Sequence, residues 1–259
     1  TYFARGQRWG MPPYRWDRIA QNEFDYLIQR LRYSQNFYDT FRIDHVIGVF
    51  RLWTIPRSEP EENFGLNGVF DPADENRWEE HGRKLLLVMI QNAGMLPAAE
   101  DLGVVPACSY RVLEEFAVPG MDVQRWTKEW ETTCDFKEPE KYRKNSIAVI
   151  SNHDMSSFCA WWEFEAGTVD AELFGRLAQS KGIEIQKVSA KLFDPQKSHY
   201  GRLRWREEAK DIPSLLSILG KPEGAVRDIA DLYRGSFDEK RKFWDYLGLE
   251  LPYKEKVTP

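Results

Sequence analysis

Three apolar stretches of the sequence end in acidic side chains, and two of these ends also carry a histidine. The stretches are FRIDH, AAED and SNHD. Their ionisable side chains are Arg42, Asp44, His45, Glu100, Asp101, His153 and Asp154. In a parallel βα sheet every strand ends on the same side, so we expect these groups to converge on one catalytic face.

Acids grouped in this way indicate chemistry at a glycosidic bond. A retaining glycosidase or transglycosylase needs two carboxylates about 5 Å apart, one to attack the anomeric carbon and one to protonate the leaving oxygen. A third acid can bind sugar hydroxyls and stabilise the positive charge that develops on the ring. The three strand ends together supply enough acids for such a site.

The neighbours of each acid suggest its role. Arg42 lies two residues before Asp44, so on a strand both side chains project to one face, where the arginine favours the ionised carboxylate that a nucleophile requires. Glu100 follows the apolar segment LPAA, which favours the protonated form that a general acid requires. Asp101 would point to the opposite face and contact substrate or support the site.

Two other interpretations compete with this one. A single carboxylate is more often a solvated loop residue or a helix N-cap, but three strand ends together weigh against that interpretation. Histidine and aspartate also bind metals. However, RIDH and NHD set the two groups side by side, on opposite faces of a strand, and the sequence has no HxH or HxxxH pair. We therefore expect neither a metal nor another cofactor.

Apolar spacing and turn residues predict the elements that carry these ends. Strands are predicted within residues 37–44, 95–103, 119–126 and 145–154. Helices are predicted from Asp17 to about Asn36, before a cap at Gly94 and from Ser109 to Phe116, and residues 56–77 form a long polar loop. After Asp154 the pattern predicts helices and no convincing strand, with residues 183–190 as helix or linker. All of these elements together predict an α/β fold, either a barrel or a doubly wound sheet.

Composition excludes several classes of partner. The net charge is −5 with both signs interspersed, so neither nucleic acid nor a membrane surface is an expected partner. No apolar run approaches the roughly 18 residues needed to span a bilayer, and we expect a cytoplasmic protein. The three cysteines are predicted to be reduced core thiols. Because the chain begins without methionine in a glycine-rich loop, we also expect it to be part of a longer protein.

Five segments resemble the 4-α-glucanotransferases, also called amylomaltases or disproportionating enzymes, of the α-amylase superfamily. They are GQRWGMPPY at 6–14, FRIDHVIGVFRLWTIP at 41–56, AAEDLGVVP at 98–106, VPGMDVQRW at 118–126 and SNHDMSSFCAWW at 151–162. The resemblance implies a partial (β/α)8 TIM barrel with about strands four to seven present. Residues 1–165 would belong to this barrel, and residues 166–259 would form a helical subdomain before the last barrel strand.

The resemblance also implies roles for individual residues. Asp44 would be the nucleophile, Glu100 the general acid/base and Asp154 the stabiliser of the transition state. The implied substrate-binding residues are Arg42, His153, Asp101, Trp9, Gln7 and His45.

The activity implied is transfer of α-1,4-glucan segments between maltooligosaccharides by a retaining double displacement. The segment VIGVF after RIDH differs from the FRGF of the commoner bacterial form and is closer to plant-type enzymes that use maltose. Maltose, glycogen or a heteroglycan would then be acceptors. Transfer rather than hydrolysis requires that water be kept from the intermediate, and the loops at residues 2–14 and 56–77 are expected to exclude it. The rival functions are an α-glucan hydrolase of the same superfamily and an inactive glucan-binding partial barrel.

Overall fold

The computed structural model describes residues 6–248, which divide into two compact units. Unit 1 comprises residues 6–122 and 143–147, and unit 2 comprises residues 123–142 and 148–248. Both helices and strands occur, so the α/β class is confirmed. The predicted domain boundary at residue 165 stays a prediction, because compact units defined by contacts need not coincide with domains.

Unit 1 is built from helices that pack on short strands. Its helices are α1 (Trp16–Gln21), α2 (Asp25–Ser34), α3 (Ile47–Phe50), α4 (Trp78–Gln91) and α5 (Ala107–Glu115). Its strands are β1 (Thr40–Ile43), β2 (Leu52–Thr54), β3 (Val69–Asp71) and β4 (Leu96–Ala99). Strands β5 (Gly120–Val123) and β6 (Ser146–Val149) pair as a two-stranded sheet.

Strands β1 and β4 pair in parallel, which sets the position of the first two acids. Their register runs from Thr40 opposite Leu96 to Ile43 opposite Ala99, so both strands end at the same level. The Glu100 N–H donates to the Ile43 carbonyl at 2.9 Å, which continues the ladder past the last paired residues. The residues that follow the two strands are therefore neighbours at one edge.

The core beneath these strands comes from the apolar faces of α4 and α5. Leu85 and Leu86 of α4 and Val112 of α5 are at most 2% exposed. Each buried leucine contributes about 1.5–3 kcal/mol relative to an exposed one. Gly82 of α4 lies against the ring of Phe50, where an added Cβ would come within 2.1 Å of it. This close approach allows α4 to pack directly on the segment that follows β1.

Unit 2 combines helices with a three-stranded antiparallel sheet. Its helices are α6 (Phe158–Ala160), which leads into a π-helical turn (Trp161–Glu165), α7 (Ala171–Ser180), α8 (Ile185–Leu192), α9 (Ile212–Leu219), α10 (Arg227–Ser236) and α11 (Glu239–Tyr246). The sheet has the order β7–β9–β8, formed by β7 (Thr168–Asp170), β8 (Phe193–Asp194) and β9 (Arg202–Trp205). The last of the helices that the pattern predicts after Asp154 covers DEKRKFWDYLGL at residues 238–249, of which residue 249 lies outside the described part of the chain.

Several element predictions are confirmed and others are wrong. The four predicted strands contain β1, β4, β5 and β6, and residues 183–190 are mainly helical in α8. The expectation of no strand after Asp154 is wrong, because β7, β8 and β9 are there; at two to four residues each, they are too short to show an alternating pattern. The predicted loop 56–77 contains β3, which pairs antiparallel with β2.

Three local predictions also need correction. The predicted helix from Asp17 is interrupted, because Glu23 and Phe24 adopt left-handed φ values of 52° and 59° between α1 and α2. Helix α4 ends at Gln91, and the Gly94 N–H instead donates to the Gln35 side chain at 2.9 Å. The cysteines are free, but their burial differs: one is buried, one half-buried and one exposed, respectively Cys134, Cys108 and Cys159.

Across residues 6–248, no helix is long and apolar enough to cross a membrane.

Candidate active site

Arg42 and Asp44 meet at the end of β1, as the sequence predicts. The Arg42 guanidinium donates a hydrogen bond to the Asp44 carboxylate through Nη1 and Oδ1. The Asp44 side chain is 68% exposed and that of Arg42 is 29% exposed. The exposed carboxylate can therefore be reached by a ligand in solution, while a neighbouring cation compensates its charge.

Glu100 follows β4 and is held by the protein backbone. Its side chain accepts hydrogen bonds from the His45 N–H at 2.9 Å and from the Leu102 N–H at 3.1 Å, one on each carboxylate oxygen. Its own carbonyl accepts from the Val46 N–H at 3.0 Å. Glu100 is only 8% exposed. Backbone donors and burial together give this carboxylate one fixed position beside the end of β1.

His45 links the two strand ends through an unusual backbone conformation. Its φ is 45°, in the left-handed region, and this turn directs its N–H to Glu100. Burial lowers the pKa of the imidazole, and the Arg51 charge acts in the same direction, while Glu100 and Asp44 partly oppose the shift. The ring is therefore neutral near pH 7. The sequence interpretation assumed that Asp44 and His45 point to opposite faces of a strand. Strand β1 ends at Ile43, so this alternation does not apply to His45.

The glycine-rich loop near the start of the chain contacts this region and the loop at residues 56–77. The Trp9 ring stands edge-on to the His45 ring, with centroids 4.9 Å apart, and is 57% exposed. An added Cβ on Gly65 would lie 2.7 Å from the Gln7 backbone nitrogen and oxygen, so the two loops touch within unit 1. Of the predicted groove loop at residues 2–14, residues 2–5 lie outside the described residues.

Asp101 has a buried carboxylate in an ion pair that the sequence did not predict. It is 4% exposed, and its carboxylate accepts from the Met121 N–H at 2.8 Å and from both terminal nitrogens of Arg143. Burial lowers the pKa of Arg143, but hydrogen bonds to Asp101 and Asp122 outweigh it and raise the pKa overall. Asp101 therefore ties the end of β4 to β5, and its predicted contact with substrate stays a prediction.

His153 and Asp154 follow β6 and belong to unit 2. The His153 Nε2 lies 3.2 Å from Asp154 Oδ1, and both side chains are more than half exposed. The Asp154 N–H donates to the Asn152 side chain at 3.0 Å. Taken separately, neither unit gathers three histidine, cysteine or carboxylate side chains around one possible ion within residues 6–248.

Acids at the ends of parallel strands are typical of α/β enzymes, and here the comparison with known proteins identifies the family. Residues 1–219 match the family model described as 4-alpha-glucanotransferase. The chain therefore belongs to the 4-alpha-glucanotransferase family. The matched range includes every candidate site residue, from Gln7 to Asp154.

Individual relatives agree with this family. The 4-alpha-glucanotransferase of Chlamydia muridarum is 35% identical over 162 residues, which are 62% of this chain and 29% of that protein. The 4-alpha-glucanotransferase DPE2 of Oryza sativa subsp. japonica is 22% identical over 306 residues, covering 64% of this chain and 32% of that protein. The chain thus spans about a third or less of the length of these relatives.

A solved structure supports the fold. The amylomaltase from Corynebacterium glutamicum superposes with a TM-score of 0.53 at 23% sequence identity, over 68% of this chain and 23% of that one. At this identity the likeness shows a shared fold.

Proposed function

We propose that this chain supplies the catalytic acids of a 4-α-glucanotransferase that moves α-1,4-glucan segments between maltooligosaccharides. The observation that carries the proposal is the register of β1 and β4, which brings the segments bearing Asp44 and Glu100 to one edge. Membership of the 4-alpha-glucanotransferase family supports the choice of reaction. Asp44, exposed and paired with Arg42, suits a nucleophile that must reach substrate.

The proposed reaction has two displacements. In the first, the Asp44 carboxylate attacks the anomeric carbon while Glu100 gives its proton to the departing glycosidic oxygen, which leaves a covalent glucosyl-enzyme. In the second, Glu100 takes the proton of the 4-hydroxyl of another glucan, and this oxygen displaces Asp44 with overall retention of the α configuration. Asp154 would stabilise the positive charge on the ring in both transition states.

The fixed position of Glu100 suits a group that must act in both steps. Two backbone N–H groups hold its oxygens, so the carboxyl can return to the same place after each proton transfer. The general acid has to carry a proton when substrate arrives. A protonated carboxyl keeps free lone pairs, so Glu100 can bind this proton and still accept from both backbone donors.

The finer fold that we propose is a partial (β/α)8 barrel. In it β1, β4, β5 and β6 would be barrel strands four to seven. The parallel pairing of β1 with β4, with α4 between them in the chain, supports a βα-type connection. The antiparallel β7–β9–β8 sheet would then belong to the subdomain that precedes the last strand.

The proposed donors are maltooligosaccharides, and maltose, glycogen or a heteroglycan are the proposed acceptors. The segment VIGVF after RIDH, which resembles the plant-type form, supports maltose as an acceptor, and the choice of acceptor stays a prediction. A cytoplasmic location also stays a prediction.

Product analysis tests the proposed function. The protein, produced at its full natural length, is incubated with maltotriose and the products are separated by chain length. A ladder of longer oligosaccharides with released glucose is expected for transfer. Glucose and maltose alone would instead establish a hydrolase, and unchanged maltotriose with measurable binding would establish a glucan-binding protein. Either of these outcomes refutes glucan transfer.

A further inference from the structure

Unit 2 buries an arginine to which the two proposed displacements assign no role. Arg125 is 4% exposed, and its Nη1 donates to the Ser156 hydroxyl at 2.9 Å. Its Nε and Nη2 are buried and have no hydrogen-bond partner within residues 6–248. An arginine side chain stays charged in a protein, so burying it with unpaired donors costs stability. Fold stability alone therefore does not explain this residue.

Arg125 stands at a strand end, in a rigid setting. It lies in the turn Gln124–Trp126 directly after β5. The turn is closed by Thr127, whose N–H and hydroxyl both donate to the Val123 carbonyl at 2.9 Å. The backbone that carries Arg125 is consequently held in place, so the guanidinium can restrain the groups that it contacts.

The Arg125 guanidinium contacts the segment of residues 152–161, which carries Asp154. Ser156 lies two residues after Asp154, and the Arg125 Cζ also lies 5.3 Å from the centre of the Trp161 ring. Trp161 is 3% exposed and packs edge-on against Phe243, with centroids 5.6 Å apart. The Arg125 guanidinium therefore contacts this segment at two points, near the exposed Asp154 and at the buried Trp161.

The other hydrogen bonds that the structure describes next to Asp154 within residues 6–248 are local. The Asp154 N–H bonds only locally, to Asn152, and the Ser157 hydroxyl caps the short helix α6 by accepting from the Ala160 N–H at 3.3 Å. Between these two local contacts, the bond from Arg125 connects the segment to another strand end, 31 residues earlier in the chain.

We propose that Arg125 is a positioning residue for Asp154, acting through the Ser156 hydroxyl. This inference rests on the proposed glucan transfer. A carboxylate that stabilises charge only in the transition state must be held in place before that state forms, and misplacement by about 1 Å can cost on the order of 100-fold in rate. Loss of the Arg125 contact should therefore lower kcat and leave KM nearly unchanged.

The test uses Arg125→Met, which keeps a long side chain and removes the donors and the charge. Steady-state transfer from maltotriose and the melting temperature are measured on the full-length protein. We expect kcat to fall by about 10- to 100-fold, with KM within about twofold. We expect the melting temperature to stay the same or rise, because replacing a poorly paired buried ion by an apolar side chain is often neutral or stabilising.

Four further variants separate positioning from a structural role. Ser156→Ala should lower kcat less than Arg125→Met, and the double variant should be no worse than Arg125→Met alone, because both changes break one contact. Arg125→Lys should restore part of kcat. Arg206→Met is the matched control in unit 2, because the Arg206 guanidinium also donates a hydrogen bond, in its case from Nε to the Phe193 carbonyl at 3.0 Å. It should keep the wild-type kcat.

The outcomes distinguish this inference from the proposed function. A wild-type kcat in Arg125→Met, or additive losses in the double variant, overturns the positioning role while glucan transfer stands. A fall in kcat that matches a loss of folded protein overturns it as well. A wild-type protein without transfer activity refutes the proposed function and, with it, this inference.

Discussion

The acids of the two units are held in different ways. In unit 1, Glu100 is 8% exposed and its two oxygens are bonded by backbone N–H groups of the adjoining turns. In unit 2, Asp154 is exposed, its carboxylate lies 3.2 Å from His153 Nε2, and the nearby hydrogen bonds run through the side chains of Asn152 and Ser156. Backbone donors survive substitution of the residue that provides them, whereas side-chain supports do not. The position of Asp154 should therefore be the easier one to disturb by mutation.

The largest effect is expected from the proposed nucleophile. Asp44→Asn should lower transfer from maltotriose by at least about 10³-fold, because an amide cannot form the glucosyl-enzyme. The melting temperature should hardly change, since the carboxylate is exposed and its hydrogen bond is to Arg42. Glucose release and thermal unfolding measure the two effects.

A matched control exists for this change. Asp17→Asn alters an exposed aspartate that also pairs with an arginine two residues earlier, Arg15, at 2.8 Å. It should keep full activity. Near wild-type activity in Asp44→Asn would remove Asp44 from the proposed mechanism.

The ion pair of the buried Asp101 carboxylate should give the largest loss of stability. Arg143→Met leaves the buried Asp101 carboxylate without its cation, and losing a hydrogen bond to a charged group costs about 1.5–3 kcal/mol. Arg111→Met, which removes a largely exposed partner of Glu79, should change stability much less, because exposed ion pairs contribute little. Urea unfolding compares the two variants. Equal losses would mean that the pair does not anchor the end of β4.

The sequence predicted some of this arrangement and missed the rest for physical reasons. Strands β1 and β4 were predictable because each is a short apolar run that ends abruptly in ionisable residues. The partner of Asp101 was not, because Arg143 lies 42 residues away and no local pattern connects the two. The left-handed turn at His45 was hidden because a non-glycine residue gives no signal of a positive φ.

The support of Asp154 in unit 2 should give an intermediate effect. Asn152→Ala removes the acceptor of the Asp154 N–H and should lower kcat by about threefold to tenfold, which corresponds to the roughly 1 kcal/mol of one hydrogen bond. Ser180→Ala removes an exposed bond to the Leu177 carbonyl in the same unit and should leave kcat unchanged. If Asn152→Ala also leaves kcat unchanged, side-chain support near Asp154 does not matter and the contrast between the units fails.

The smallest effect, a pH dependence of stability, should come from His45. Because burial lowers its pKa in the folded state, the unfolded chain binds a proton more readily, so His45 reduces stability as the pH falls below about 6.5. In His45→Asn, the urea concentration at the unfolding midpoint should decrease less than in the wild type as the pH falls from about 6.5 to about 5. Some slope should remain, since burial lowers the pKa of His81 too.

The same variant tests whether the backbone alone holds Glu100. Asparagine tolerates the left-handed conformation, so its N–H should still donate to Glu100, and kcat should stay within a few-fold of wild type. His45→Ala keeps the N–H but disfavours the turn by about 1 kcal/mol, and it should be the less stable of the two. A large fall in kcat for His45→Asn, with an unchanged melting temperature, would show that the imidazole itself acts in the reaction. The general acid of unit 1 would then depend on a side chain in the way that Asp154 does.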